Sequence, residues 1–277
     1  MTELVRVDNV SKVFDISPPL WHRVLTRQPK RLVQAVDNVS MSIEAGQTYA
    51  LVGESGSGKS TLARTIVGLT PPTSGSVWFD GALLAGATHK AVAPSVRRQV
   101  QMIFQSPYAS LNPRWRVGDI VAEPIRAFGL SDRRQASRRV DELLEQVGLA
   151  SSDAARFPHE FSGGQRQRIS IARALASEPR FIVCDEPTSA LDVSVQAQVL
   201  NLLKQLQRDL GLTYLFITHD LAVVRTMAHQ IGVMKQGALV EAQSADALFA
   251  SPQHAYTQML LDSAPIVSPK ASRSGQL

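Results

Sequence analysis

Hydrophobic and polar positions change period several times along the chain, and each change marks an element. Leu4 to Ile16 alternates and is rich in Val, which predicts a strand pair. Ser17 to Val33 breaks the alternation with Pro18-Pro19, Pro29 and scattered basic residues, and reads as a surface insertion. Its Leu20 and Trp21 suit either packing on the sheet or contact with a partner. Alternation returns from Gln34 to Ile43, and Glu44-Ala45-Gly46 makes a turn. Thr48 to Val52 is then a short apolar strand, followed by a glycine-rich loop and a helix over Thr61 to Gly68. From about Ser106 to His159 helix formers replace strand signals. Ser137 to Val147 is the clearest helix, with Val140, Leu143, Leu144 and Val147 on one face. Strands and helices alternate again from Phe181 to Met234, the pattern of parallel strands joined by crossover helices. The stretch from Ser263, rich in Ser, Pro and Lys, is expected to fray. No internal repeat interrupts this order. The chain therefore reads as an α/β core with one helical excursion.

Composition narrows the setting. With 277 residues and 44% hydrophobic content, the chain can bury a sizeable core. No segment approaches the roughly 18 to 20 apolar residues of a membrane-spanning helix. Met1 to Arg6 lacks the basic start and apolar run of a signal peptide. The expectation is a cytoplasmic protein, for which any membrane work must come through partner chains. The single cysteine, Cys184, excludes an internal disulfide and a cysteine-only metal cage. Lying in the apolar run Phe181-Ile182-Val183-Cys184, it reads as a small buried hydrophobe. A net charge of +5 raises the question of nucleic acid. The densest basic group, Arg133-Arg134 and Arg138-Arg139, alternates with Asp132, Asp141 and Glu142 as on a solvated helix face, and no aromatic platform accompanies it. No nucleic-acid site is expected.

Gly53-Glu54-Ser55-Gly56-Ser57-Gly58-Lys59-Ser60 fits the phosphate-loop pattern in full, and Thr61 continues it into the helix. Glycines let the backbone curl so that successive N–H groups face phosphate oxygens, and the helix N-terminus adds partial positive charge. Lys59 then reaches the β- and γ-phosphates of a nucleotide, and the Ser60 hydroxyl is a ligand for Mg²⁺, which alone leaves kinases, GTPases and helicases open. A second pair follows at the end of the apolar strand Phe181 to Cys184. Asp185 is placed to hold the metal, and Glu186 to polarise the attacking water.

Phe161-Ser162-Gly163-Gly164-Gln165 is decisive, because other phosphate-loop enzymes have no use for it. It resembles the ABC transporter signature LSGGQ, with Phe for Leu. Ser162, Gly163, Gly164 and Gln165 form a second anion cradle before a helix running to about Ala176. The resemblance covers nearly the whole chain. It implies a RecA-like core with an antiparallel β subdomain and an inserted helical subdomain (about 106–160) in a unit spanning 1–250. It also implies that the cradle faces the phosphate loop of a second ATPase subunit, identical or homologous, so that ATP joins two chains. Ser57 and Phe161 are accordingly expected to face outward. By the same resemblance Gln105, after the strand Val100 to Phe104, is the glutamine that senses Mg²⁺ and contacts the membrane partner. Asp192 closes an interface-crossing loop, Ser189 to Asp192, and His219, after the strand Tyr214 to Thr218, is the residue that grips the γ-phosphate. The family stacks adenine on an early aromatic residue. Phe14 is the choice, with Trp21 and Tyr49 as alternatives and plain core packing as the competing role.

Two segments point within the family. Ser106-Pro107-Tyr108-Ala109-Ser110-Leu111-Asn112-Pro113-Arg114 looks like the matching stretch in ATPases of oligopeptide, dipeptide and nickel importers. Ser251 to Leu261 resembles their C-terminal S-P-x-H-P-Y-T-x-x-L-L element, with Ala255 for Pro, and makes 251–277 an extension of that type. Cysteines carried there by many relatives are absent, so no iron–sulfur site is expected. The resemblance implies an ATP-hydrolysing importer subunit on the cytoplasmic face of the inner membrane. Its partners would be two transmembrane permease subunits and, indirectly, an extracytoplasmic solute-binding protein. The alternatives are an ATPase of a soluble complex such as carbon–phosphorus lyase, or one acting in translation or repair.

Overall fold

The computed structural model describes residues 2–19, 23, 25, 29–88 and 92–263, with the side chains of Pro107 and Ala109 excepted. Leu20 and Trp21 of the insertion, and the tail from 264, lie outside the described residues. Strands β1 (Glu3–Asp15), β2 (Leu32–Glu44), β4 (Ser74–Phe79) and β5 (Ala82–Gly86) form an antiparallel sheet in the order β2-β1-β4-β5. The strand pair predicted over 4–16 is one continuous strand instead. Its register against β2 shifts between Val7 and Val10, with Asn9 at φ 48° and its amide donating to Ser40 Oγ at 2.9 Å. Asn tolerates the left-handed region, so the irregularity is absorbed as a bulge and the chain does not turn back. At the far end the insertion is closed at its neck, where the Ile16 amide donates to Arg31 O and the Arg31 amide to Ser17 Oγ.

The second sheet contains β3 (Thr48–Val52), β6 (Val100–Ile103), β7 (Phe181–Asp185), β8 (Thr213–Ile217), β9 (Gln230–Lys235) and β10 (Ala238–Ser244), in the order β10-β9-β3-β8-β7-β6. All its pairings are parallel except β9–β10. Successive side chains on a strand point to opposite faces. Phe181 and Val183 of β7 and Leu215 and Ile217 of β8 therefore join Val5, Val7, Val36 and Val39 of the antiparallel sheet in one core. Ile182, Cys184, Tyr214 and Phe216 join a second core on the other face, where Cys184 is fully buried. A sheet covered on both sides explains why its strands read as unbroken apolar runs.

Helices α1 (Lys59–Ile66), α2 (Val117–Ala127), α3 (Arg133–Gln146), α4 (Gly163–Leu175), α5 (Val193–Leu210), α6 (Leu221–Met227), α7 (Ala245–Ala250) and α8 (Ala255–Asp262) complete the frame. Helix α3 starts four residues before the predicted Ser137, because Asp132 caps it by accepting from the Gln135 amide at 2.8 Å. Val140, Leu143, Leu144 and Val147 are all buried, as their spacing predicts. They belong to the same core as Ile182 and Cys184, so the helical segment is welded to the sheet. Each such leucine contributes about 1.5–3 kcal/mol of burial. Among the described residues, no helix is long and apolar enough to cross a membrane.

Candidate functional site

Parallel register brings the site together. Leu51 of β3 and Asp185 of β7 both pair with Ile217 of β8, while Ile103 of β6 pairs with Cys184. The carboxyl ends of four strands therefore lie side by side, and the loops that leave them carry Gly53 to Ser60, Gln105, Glu186 and His219. Crevices beyond the carboxyl ends of such strands are the usual ligand sites of open α/β sheets.

The glycine loop curls around its own lysine. Lys59 is 5% exposed, and its Nζ donates to Gly53 O and Glu54 O, both at 2.7 Å, and to Ser57 Oγ at 3.3 Å. Burial pulls the ammonium below the ordinary lysine range, while the carboxylates of Glu186, Asp185 and Glu54 hold it up. Gly58, the cap of α1, has φ 103°, and a Cβ there would stand 2.1 Å from Ala35 O of β2. Only glycine allows both the conformation and the approach. Ser55 and Gly56 are exposed, whereas Ser57, expected to face outward, is 6% exposed because its hydroxyl turns in toward Lys59.

Ser60 Oγ donates to Asp185 Oδ1 at 2.9 Å, which unites two of the three sequence-predicted metal residues across 125 residues, the third being Gln105. Burial raises the Asp185 carboxyl, and the Ser60 hydroxyl, Arg64 and Lys59 oppose it. A cavity of 410 Å³ opens beside this pair, lined by Ser60, Asp185, Gln105, Arg64, Phe104 and Ser106 among others. Hard oxygen donors next to open space suit Mg²⁺. Sequence reasoning missed Arg64. Its signal was the spacing of four residues from Ser60, which puts both on one helix face.

Glu186 is the point of convergence. Gln105 Nε2 donates to its Oε2 at 2.9 Å, and His219 Nδ1 lies 3.2 Å from its Oε1. Its backbone sits at φ 46°, and its amide donates to Ile217 O at 3.0 Å. A glutamate held at positive φ carries backbone strain, which clusters at functional sites. His219 is thus brought onto the same carboxylate as Gln105.

The signature segment stands apart. Ser162 Oγ accepts from the Gln165 amide at 3.3 Å, and Gln165 Oε1 accepts from the Ser162 amide at 3.0 Å, a capping box at the start of α4. Among the described residues no hydrogen bond or ion pair joins 162–165 to 53–61. Gly163 lies against Leu191, and a Cβ on Gly164 would stand 2.3 Å from Val195 Cγ1. Gly164 is therefore required for packing on α5. Phe161, expected to face outward, is 3% exposed and lies in the core, with the Arg156 guanidinium 4.2 Å from its ring centroid. An aromatic at this position fills the interior, and Ser162 is the exposed residue. Asp192 is exposed at the start of α5, with no capping bond from its side chain.

Of the aromatic candidates, Phe14 is 38% exposed at the distal end of β1, opposite Val33, with Lys12 Nζ 5.1 Å from its ring centroid. Ala35, two residues beyond Val33, meets the phosphate loop at Gly58. Tyr49 is 3% exposed in the core and cannot stack on a ligand. Trp21 lies outside the described residues.

A buried strand, a glycine loop wrapped on a lysine, a helix, and a strand-end Asp-Glu pair make up a phosphate-loop nucleotide hydrolase. Residues 36–189 match the ABC transporter family, and residues 240–277 match the C-terminal region of oligopeptide/dipeptide transporters. The chain is 52% identical over 247 residues to the oligopeptide transport ATP-binding protein OppF of Bacillus subtilis, covering 89% of this chain and 81% of that one. It is 46% identical over 269 residues to the oligopeptide transport ATP-binding protein AppF of the same organism, covering 97% and 80%. Its fold matches the dimeric post-hydrolysis structure of the ATP-binding cassette MJ0796 bound to ADP and Pi. That match has a TM-score of 0.73 at 30% identity, covering 87% of this chain and 98% of that one. The chain belongs to the ABC transporter family. It is an ATP-hydrolysing cassette of that family.

Gly58→Ala should cost at least about 1–3 kcal/mol in backbone strain and displace β2 from the loop. Thermal melting and a nucleotide titration should show a lowered midpoint and lost ATP binding; parental values in both would contradict the close approach to Ala35.

Proposed function

We propose that this chain is the ATPase of a peptide importer, in which ATP closes two cassettes and hydrolysis reopens them. The observation that carries the catalytic part is the Glu186 carboxylate, held between Gln105 and His219 beside the Ser60–Asp185 pair. Backbone N–H groups within the loop Gly53 to Thr61 cradle the phosphates, and Lys59 neutralises the β- and γ-oxygens. Ser60, Asp185 and Gln105, which line one cavity, are the residues that would hold Mg²⁺. Magnesium, when bound, would screen the charge between β- and γ-phosphates. Glu186 orients and deprotonates the attacking water, while His219 steadies Glu186 and reaches the γ-phosphate. Because Gln105 hydrogen-bonds Glu186 directly, small movements of the loop at Gln105 change the base.

Ser162, Gly163, Gly164 and Gln165 present a capped helix end that serves the nucleotide of a second cassette, identical or homologous, with Asp192 at the interface between them. Phe14 stacks the adenine. Closure biases two transmembrane permeases between two states, with an extracytoplasmic binding protein delivering the solute and this chain peripheral at the cytoplasmic face. The unit spans 1–250 with the helical subdomain at about 106–160, followed by the extension 251–277. Peptides as cargo, and the importer over an ATPase of a soluble complex, are favoured by the names of the relatives and by the matched C-terminal region.

Glu186→Gln should retain ATP binding and nearly abolish hydrolysis, because an amide cannot take a proton from water, whereas Lys59→Ala should weaken binding itself. Phosphate release by Glu186→Gln at the parental rate would refute the base assignment. Phe14→Ala should weaken nucleotide affinity by about 1–3 kcal/mol, the scale of base–aromatic stacking; an unchanged dissociation constant would move the adenine elsewhere. The two-chain arrangement is tested by cross-linking at the exposed positions. In a Cys184→Ser, Glu186→Gln background, Ser55→Cys and Ser162→Cys should form covalent dimers with ATP and few without it, since a disulfide needs Cα atoms within about 7 Å. The test is run with and without a co-expressed second cassette. Monomer alone under every condition, with ATP binding verified, would sink the arrangement.

A further inference from the structure

The C-terminal extension reaches the phosphate loop. Tyr256, near the start of α8, is 4% exposed, and its Oη accepts a hydrogen bond from the Glu54 amide at 3.1 Å, across 202 residues of sequence. The ring packs with Ala50 and Val52 of β3, the strand that feeds the loop, and Lys235 Nζ lies 4.7 Å from its centroid. The helix is itself pinned. Glu241 accepts from the amides of Gln253 at 2.8 Å and His254 at 3.1 Å, and His254 Nδ1 accepts from the Tyr256 amide at 3.0 Å. The phenol is therefore held by two independent supports, the sheet and the turn before its helix.

What it holds is one particular peptide unit. Gly53 O and the Glu54 N–H belong to the same planar amide. The carbonyl accepts from Lys59 Nζ at 2.7 Å, while the N–H donates to Tyr256. Lysine and tyrosine thus grip opposite ends of a single plane. Rotation of that plane would withdraw Gly53 O from the ammonium and strand a part-buried N–H, so the two bonds set each other's geometry. We propose that Tyr256 is a positioning residue for ATP binding, which keeps the Gly53–Glu54 peptide turned so that Lys59 stands ready for the phosphates before nucleotide arrives. The inference rests on the reading of residues 53–60 as the phosphate cradle.

Tyr256→Phe, made in the full chain, keeps the ring on β3 and deletes only the acceptor oxygen. Loss of one net hydrogen bond corresponds to about a fivefold change in an equilibrium. The KM for ATP and the dissociation constant of a fluorescent ATP analogue should each rise about fivefold. The kcat at saturating ATP should stay within about twofold, because bound phosphates order the loop themselves. Amide hydrogen exchange in a peptide spanning 53–58 should speed up without nucleotide, with the melting midpoint nearly unchanged. Parental KM and parental loop exchange would overturn the proposal. A fall in kcat, affinity and melting midpoint together would also overturn it, since Tyr256 would then support only the fold. Lys59→Ala separates the underlying reading: if that variant binds ATP as well as the parent, the cradle assignment fails, whereas if it loses binding and Tyr256→Phe does not, only the positioning role fails.

Discussion

A buried ammonium organises this molecule. Lys59 is almost inaccessible, and a buried charge must be compensated at close range or driven to neutrality. Two carbonyls and a hydroxyl of its own loop supply the compensation. The loop therefore has a defined curl even without a ligand, because its carbonyls are committed to the lysine. That curl in turn needs backing. Ala35 of β2 approaches at Gly58, the Gly237 amide donates to Ser57 O at 2.9 Å, and Tyr256 takes the Glu54 amide. Three distant parts of the chain converge to hold eight residues.

The acid side of the site follows from the same sheet. Because β7 and β8 run parallel and in register, Asp185 and Glu186 emerge next to the segment that ends in His219. Asp185 turns toward Ser60 and stays nearly buried, while Glu186 turns toward Gln105 and His219. Two adjacent carboxylates are thereby given different surroundings, one suited to holding a cation and one left with access to water. The positive φ of Glu186 is the backbone cost of separating them.

The signature segment is a finished structure on its own terms. Its capping box satisfies Ser162 and Gln165 mutually, Phe161 fills the core, and Gly164 admits Val195. Among the described residues, no hydrogen bond or ion pair ties it to the phosphate loop. The segment is satisfied locally and leads with an exposed serine.

The amino-acid sequence alone determined the elements with strong local signals. Glycine spacing with Lys59 and Ser60 marked the loop, apolar runs marked the buried strands, and the fourfold spacing of Val140, Leu144 and their neighbours marked α3. These are short-range properties, set by backbone sterics and by side-chain period. Pattern reading failed where the deciding contact was distant. Asn9 makes a bulge only because β2 pairs across it, Ser57 turns inward only because Lys59 is there, and Phe161 is buried only because the helical segment folds over it. The convergence of Gln105 and His219 on Glu186, and of Tyr256 on Glu54, could come only from tertiary structure. Parallel strands separated by dozens of residues meet through a register that no local stretch encodes, and a hydrogen bond across 202 residues leaves no periodic trace in the sequence.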